Sequence, residues 1–395
     1  MVAKSKLVGL SGDFAVAEAV RQCDVDFIAA YPITPQTLIV ERLSEFVNNG
    51  ELNAAYVPVE SEHSALSACV GAALTGARVF TATASQGLAL MYEILYIASS
   101  LRTTIVMALA NRALSAPINI HCSHDDAYAA RDAGWIQLFA ENVQEAYDLT
   151  IQAFKIAEDK NVLLPVIVNL DGFTLSHSLE GLYVFEDEEV PKFLPPKEPV
   201  NPIDPEHPIT YGPLDFFDYY IEHKRQQAEA MKASVPHIKK VFEEFSEFSG
   251  RKYGPIKTVG MEDAEVAIMV LGSAAGTVRS IVRKLREKGE KVGALSLTLY
   301  RPFPEKELAE LVKGVKVLAV MDRSYSFGSP GAQLFMDVAA ALYNLRERPM
   351  IFNVVYGLGG RDLTPDHVIQ VFEKAKKFAE AGEVEEREVW VGVRE

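Results

Sequence analysis

Five short apolar runs punctuate the first part of the chain, at residues 25–31, 55–59, 78–84, 104–110 and 163–170, and each precedes an amphipathic stretch or a loop. Runs of this length are strands, and helical stretches between them impose crossovers, so the pattern predicts a parallel sheet packed against helices. In open parallel sheets ligands collect at the carboxyl ends of strands, where a strand hands over to a helix. Two such junctions carry helix-start signals. Pro35 after Thr34 predicts a helix with proline in its first turn, and Ser61 ahead of Ala65, Leu66 and Ala68 predicts an N-cap.

Between residues 191 and 213 lie eight prolines, too many for a continuous helix or a central strand, so this stretch reads as an extended strap. Beyond it, Phe217, Ile221, Ala228, Met231, Val235, Ile238, Phe242 and Phe245 recur at helical spacing. They mark one apolar face, interrupted near Pro236, that packs on a core or faces another subunit. A second α/β unit follows, with strands at 266–272, 292–299 and 315–321 and helices at 277–288 and 305–312. The expected organisation is a parallel-sheet domain over 1–178, a proline-rich strap and long helix over 179–260, and a second α/β domain over 261–395.

Composition narrows the function classes. A formal charge of −15 and the lack of a basic stripe disfavour a nucleic-acid partner. No run reaches membrane-spanning length and no leader-like segment opens the chain, so a soluble, cytoplasmic protein without membrane contact is expected. Cys23, Cys69 and Cys122 are too scattered for a CxxC pair or an iron–sulfur ligand run. Neither GxGxxG nor GxxxxGK[ST] occurs, which leaves a dinucleotide fold or a P-loop without support.

Several residues at the strand ends could carry chemistry. No lysine or arginine occurs between Leu43 and Ala77, whereas Glu45, Glu51, Glu60 and Glu62 do. Glu62, just past Ser61, is placed to meet a ligand or to compensate a helix dipole. Arg112, after the run 105–110, suits fork-like binding of a carboxylate or phosphate, or a surface ion pair. Thr34 could offer its hydroxyl and amide to an anion, or simply cap a helix. His121, His124, Asp125 and Asp126 invite a metal reading, but two loop histidines without a third regularly spaced ligand are weak evidence, and no metal is expected.

Four strings taken in order, Tyr31-Pro32-Ile33-Thr34-Pro35, Val59-Glu60-Ser61-Glu62-His63, Thr81-Ala82-Thr83-Ala84-Ser85-Gln86-Gly87 and Asn111-Arg112-Ala113-Leu114-Ser115, closely resemble the alpha subunit of 2-oxoacid:ferredoxin oxidoreductases. Tyr300-Arg301-Pro302-Phe303-Pro304 continues the resemblance into a transketolase C-terminal-like domain. It implies a first domain of the thiamine-diphosphate pyrimidine-binding type, with Glu62 contacting N1′ of the aminopyrimidine and so promoting removal of the thiazolium C2 proton. Thr34 and Arg112 are implied to bind the substrate carboxylate, and Tyr31, Asn119, His124 and Asp125 to line the pocket.

Absences divide the labour between chains. No Gly-Asp-Gly string occurs, so the diphosphate and Mg2+ are expected on a partner chain, and the cysteine census leaves the [4Fe-4S] clusters to partner subunits. The resemblance implies beta, gamma and delta partners, ferredoxin as electron acceptor and coenzyme A as acyl acceptor. Pyruvate is the expected substrate and 2-oxoisovalerate the alternative. A non-redox thiamine-dependent decarboxylase and a catalytically silent scaffold are the readings from other classes. No catalytic residue is expected beyond residue 261.

Overall fold

A computed structural model describes residues 2–394. Its largest sheet has seven strands, in the spatial order Leu299–Arg301, Ile136–Phe139, Val166–Asp171, Ile105–Asn111, Val79–Thr83, Phe27–Ala30, Ala55–Pro58. All but the first run parallel. Ile105–Asn111 is buried along its whole length, because helices cover both faces of a parallel sheet and leave no side for alternation. The predicted strands are present with slightly different ends. Ile136–Phe139 was not anticipated, since four residues containing Gln137 make a weak apolar signal. Nor was the two-stranded antiparallel sheet formed by Ser5–Ser11 and Leu179–Phe185.

The second sheet has six strands, ordered Glu388–Trp390, Met350–Val355, Val317–Asp322, Val266–Leu271, Val292–Leu297, Ile256–Val259, with only the last antiparallel. The two sheets are fastened together. Leu299–Arg301, directly after the second-sheet strand Val292–Leu297, pairs with Ile136–Phe139 of the first, and a continuous buried cluster joins Leu95, Phe139 and Ile167 to Met269, Leu295 and Leu297. The fold is therefore α/β with two largely parallel sheets joined by one shared buried cluster, each sheet having a further cluster of its own.

Two local expectations are corrected. Pro35 is not in a helix: the helix is Thr37–Asn48 with Gln36 as N-cap, and Thr34-Pro35 belongs to the turn before it. Pro236 does not interrupt the long helix, which runs Tyr220–Ser249. The missing N–H and ring clash of an interior proline cost about 3 kcal/mol. Packing of Ile238, Val241, Phe242 and Phe245 in the main core offsets that cost. The predicted apolar face is buried only along this second half, for Phe217 is 98% and Ile221 70% exposed. The strap crosses the amino-end edge of the first sheet. There the Lys197 ammonium donates to the Ala77 carbonyl and Thr104 hydroxyl, and Ile203 N–H donates to the Leu74 carbonyl.

Candidate active site

Five parallel strands of the first sheet end side by side, and each junction delivers a polar group: Asp171, Arg112, Ser85, Thr34 and Glu62, in the order of the strands across the sheet. This is the edge at which such sheets bind ligands.

Glu62 opens the helix Glu62–Leu74, whose N-cap is Ser61, its side chain accepting from Ser64 N–H at 3.2 Å. Such a cap contributes about 1 kcal/mol and fixes where the first turn begins. Glu62 is 6% exposed although it follows the edge strand Ala55–Pro58, because its side chain lies against the short helix Ser85–Leu90 that follows Val79–Thr83. A Cβ placed on Gly87 would stand 2.7 Å from Glu62 Oε1 and 2.9 Å from its Cγ, and would overlap Thr83 Oγ1. The glycine thus makes the hollow that the carboxyl group occupies. Thr83 Oγ1, buried in the same place, has no hydrogen-bond partner among the described residues.

Arg112 is buried and held from three sides. Nη1 donates to the Thr34 carbonyl at 3.0 Å, Nε to the Asn119 carbonyl at 3.0 Å, and its backbone N–H to Asp126 Oδ2 at 2.9 Å. Burial pulls the guanidinium pKa down, with the Asp126 charge working against that shift. Two contacts occupy only two of its five donors, so a planar fork stays available to an anion. Thr34 is exposed and supplies its carbonyl to this brace, which leaves the hydroxyl free. Tyr31 lies at the rim, 38% exposed, with its carbonyl accepting from Gln36 Nε2.

The remaining predicted residues face the second sheet. Asn119 donates to the Gly359 carbonyl at 3.2 Å, and Asp125 accepts from Ser324 Oγ at 2.8 Å. His124 is wholly buried, its Nε2 2.8 Å from Asp171 Oδ1, so it braces the floor between the sheets and does not line an open pocket. Asp171 also accepts from Arg323 Nη1 at 2.8 Å and from Ser273 Oγ at 2.5 Å. Burial alone would raise its pKa, but His124, Arg323 and Ser273 together hold it well below the usual carboxylate range. Cys122, His124 and Asp171 come close enough to share a metal ion. Here the Arg323 guanidinium already supplies the cation, and burial drives the Cys122 thiol well up, away from the thiolate a metal needs.

Sequence reasoning overlooked Asp171, Arg323, Gly87 and the structural use of Asp126. Asp171 was visible as a carboxylate ending an apolar strand, just before Gly172, but its partners Ser273 and Arg323 lie more than a hundred residues away. The expectation of no catalytic residue beyond residue 261 did not extend to these supporting contacts.

Residues 18–244 match the family described as pyruvate flavodoxin/ferredoxin oxidoreductase, thiamine-diphosphate-binding, and residues 264–368 match pyruvate:ferredoxin oxidoreductase core domain II. The chain belongs to the pyruvate:ferredoxin oxidoreductase family. This oxidoreductase-family chain is 54% identical to the pyruvate synthase subunit PorA of Thermotoga maritima, over 93% of its length and 94% of the relative's. It is 49% identical to the PorA subunit of Pyrococcus furiosus, covering 96% of each chain. To the ketoisovalerate oxidoreductase subunit VorA of Pyrococcus abyssi it is 44% identical, again over 96% of each.

Among solved structures, the 2-oxoglutarate:ferredoxin oxidoreductase from Magnetococcus marinus superposes with a TM-score of 0.70 at 20% identity. That match covers 93% of this chain, which spans 65% of the solved one. A split gene transketolase superposes with a TM-score of 0.56 at 12% identity, over 94% of this chain and 99% of the other. At these identities the likeness is one of fold, and it agrees with the pairing of a pyrimidine-binding-type sheet with a transketolase C-terminal-like one. Among the described residues no helix is long and apolar enough to cross a membrane.

Proposed function

We propose that this oxidoreductase-family chain is the alpha subunit of a pyruvate:ferredoxin oxidoreductase, binding the pyrimidine end of thiamine diphosphate at Glu62 and the substrate carboxylate at Thr34 and Arg112. The observation that carries this is the joining of Thr34 to Arg112 at the same sheet edge where Glu62 fills the Gly87 hollow. The orphaned Thr83 hydroxyl beside the buried Glu62 carboxyl offers polar groups suited to the edge of an aminopyrimidine ring.

Thiamine diphosphate, when bound, supplies the carbon nucleophile and electron sink that a 2-oxoacid needs in order to lose CO2. With the cofactor bound, the Glu62 carboxyl would hydrogen-bond N1′ of its aminopyrimidine, and burial of Glu62 would keep water from that contact. Arg112, already braced through two carbonyls, receives the pyruvate carboxylate without reorganising, and this orients the keto carbon. Tyr31 and Asn119 border that anchor, whereas His124 and Asp125 hold the segment behind it through Asp171 and Ser324.

Beta, gamma and delta partners complete the enzyme in this reading. The diphosphate, Mg2+ and [4Fe-4S] clusters then sit on other chains, because this one has neither a Gly-Asp-Gly string nor a cysteine run. The flank beside Glu62 suits a partner surface: Val57, Leu90, Tyr92 and Ile97 are apolar and 36–51% exposed. The spans 1–178, 179–260 and 261–395 then serve as pyrimidine domain, strap and transketolase C-terminal-like domain. The location is cytoplasmic, with ferredoxin and coenzyme A as co-substrates. The two pyruvate synthase subunits at 54% and 49% identity, against 44% for the ketoisovalerate subunit, favour pyruvate, and 2-oxoisovalerate is the second reading because other pyruvate synthase subunits stand at 43–44%.

Viologen reduction by the reconstituted complex, run with pyruvate, 2-oxoisovalerate and 2-oxoglutarate, is expected to be fastest with pyruvate. Equal or faster turnover of 2-oxoisovalerate would replace the substrate, and decarboxylation without viologen reduction would replace the reaction class. Glu62→Gln is expected to leave assembly intact and lower turnover by about 10²-fold or more. Unchanged turnover would make the chain a scaffold.

A further inference from the structure

A further buried carboxylate of the site is hydrogen-bonded only by neutral N–H groups. Asp126 is 1% exposed, and all four of its contacts are N–H groups. Oδ2 accepts from the backbone N–H of Ser85 and of Arg112, each at 2.9 Å. Oδ1 accepts from Asn111 Nδ2 at 3.1 Å and from its own neighbour Ala127 N–H at 2.8 Å. Two nitrogens bonded to a single oxygen can lie no farther apart than twice that bond length. The carboxylate therefore sets the gap between two strand ends, that of Val79–Thr83 and that of Ile105–Asn111. A second tie reinforces it, for Ser85 Oγ donates to the Ala113 carbonyl at 2.6 Å.

What hangs from each end gives the clamp its meaning. Ser85 has φ of 46°, a left-handed conformation unusual for a residue with a side chain, and it begins the short helix Ser85–Leu90 that carries Gly87 against Glu62. Arg112 is the other tied residue. The path from the Glu62 hollow to the Arg112 anchor thus runs through one carboxylate group.

Resting on the reading of Glu62 and Arg112 given above, we infer that Asp126, with the Ser85 hydroxyl, is a positioning clamp that holds the cofactor end and the substrate end of the site at a fixed separation. It touches neither substrate nor cofactor and acts through Ser85 and Arg112. Replacing it with asparagine leaves one acceptor oxygen for four donors, so two of them lose their partner whichever way the amide turns.

The test uses the assembled complex and pyruvate-dependent viologen reduction, with KM and kcat measured separately. Asp126→Asn is expected to raise the pyruvate KM at least tenfold, with a smaller fall in kcat. In an Arg112→Ala background it is expected to raise KM no further. KM and kcat within threefold of wild type, with only a lower melting temperature, would overturn the clamp. So would an undiminished effect on KM in the Arg112→Ala background. If Asp126→Asn does not assemble, Ser85→Ala probes the same linkage: a three- to tenfold rise in KM is expected, and an unchanged KM refutes it. Arg112→Ala alone separates the two layers. An unchanged KM there removes the substrate anchor itself, whereas a raised KM beside an unaffected Asp126→Asn removes only the clamp.

Discussion

Replacing Gly87 by alanine adds one methyl group to the wall behind Glu62. The new Cβ would stand 2.7 Å from Glu62 Oε1, whereas ordinary contact begins near 3.4 Å, so the carboxyl oxygen must retreat by about 0.7 Å. Thr83 Oγ1 stands closer still, and as part of a β-branched side chain buried in a strand it has few rotamers, so residue 87 must itself shift towards Glu62. Glu62 is the flexible partner and absorbs most of the displacement. Overpacking of this kind costs roughly 1–3 kcal/mol of stability, which a domain with two shared sheets tolerates. A misplacement approaching 1 Å in a catalytic group lowers rate by up to about 10²-fold. The expected result is a folded, assembled complex whose pyruvate-dependent viologen reduction is about ten- to a hundredfold slower, read against thermal denaturation as a control for folding. Turnover within threefold of wild type, in a variant that melts normally, would refute the placement of Glu62 as the proton-sharing group.

Arg112→Ala is expected to lower kcat/KM for pyruvate about tenfold to 10²-fold, matching the roughly 1.5–3 kcal/mol of a charge-assisted hydrogen bond; a smaller loss would argue against direct contact with the carboxylate. Asp171→Asn weakens its bonds to His124, Arg323 and Ser273 and leaves the buried Arg323 charge uncompensated, for an expected loss of about 3–5 kcal/mol in denaturant unfolding. Because the folded pKa of Asp171 lies below its unfolded value, its contribution is present above about pH 4 and is lost as the pH falls further. The variant should therefore show a flatter acid limb than wild type in the same measurement, and an unchanged limb would disprove the linkage.

Much of this was legible in order along the chain. Apolar runs of strand length, alternating with amphipathic stretches, dictate a parallel sheet, and a parallel sheet dictates which ends bind ligands. Ser61 announced its helix through a short-range bond to Ser64 N–H, a relation contained within three residues. Glu62, Thr34 and Arg112 stood out because each lies at such an end. The long helix was readable as a helix, but its periodicity could not tell Phe245, buried in the core, from Phe217, left in solvent. Spacing reports which residues share a face and says nothing about what covers it.

Distances across the fold were decided by packing. His124 looked like a pocket residue until it met Asp171, a carboxylate that Ser273 and Arg323 also bind from the second sheet's strand ends, which makes it part of a buried brace. Asp126 resembled a weak metal ligand until the ends of two strands placed their amides on one of its oxygens. Local sequence commits the backbone because hydrogen bonds and propensities act over a few residues. A buried charge acquires its partners only when distant segments close around it, and in a low-dielectric interior those partners determine what the charge can do.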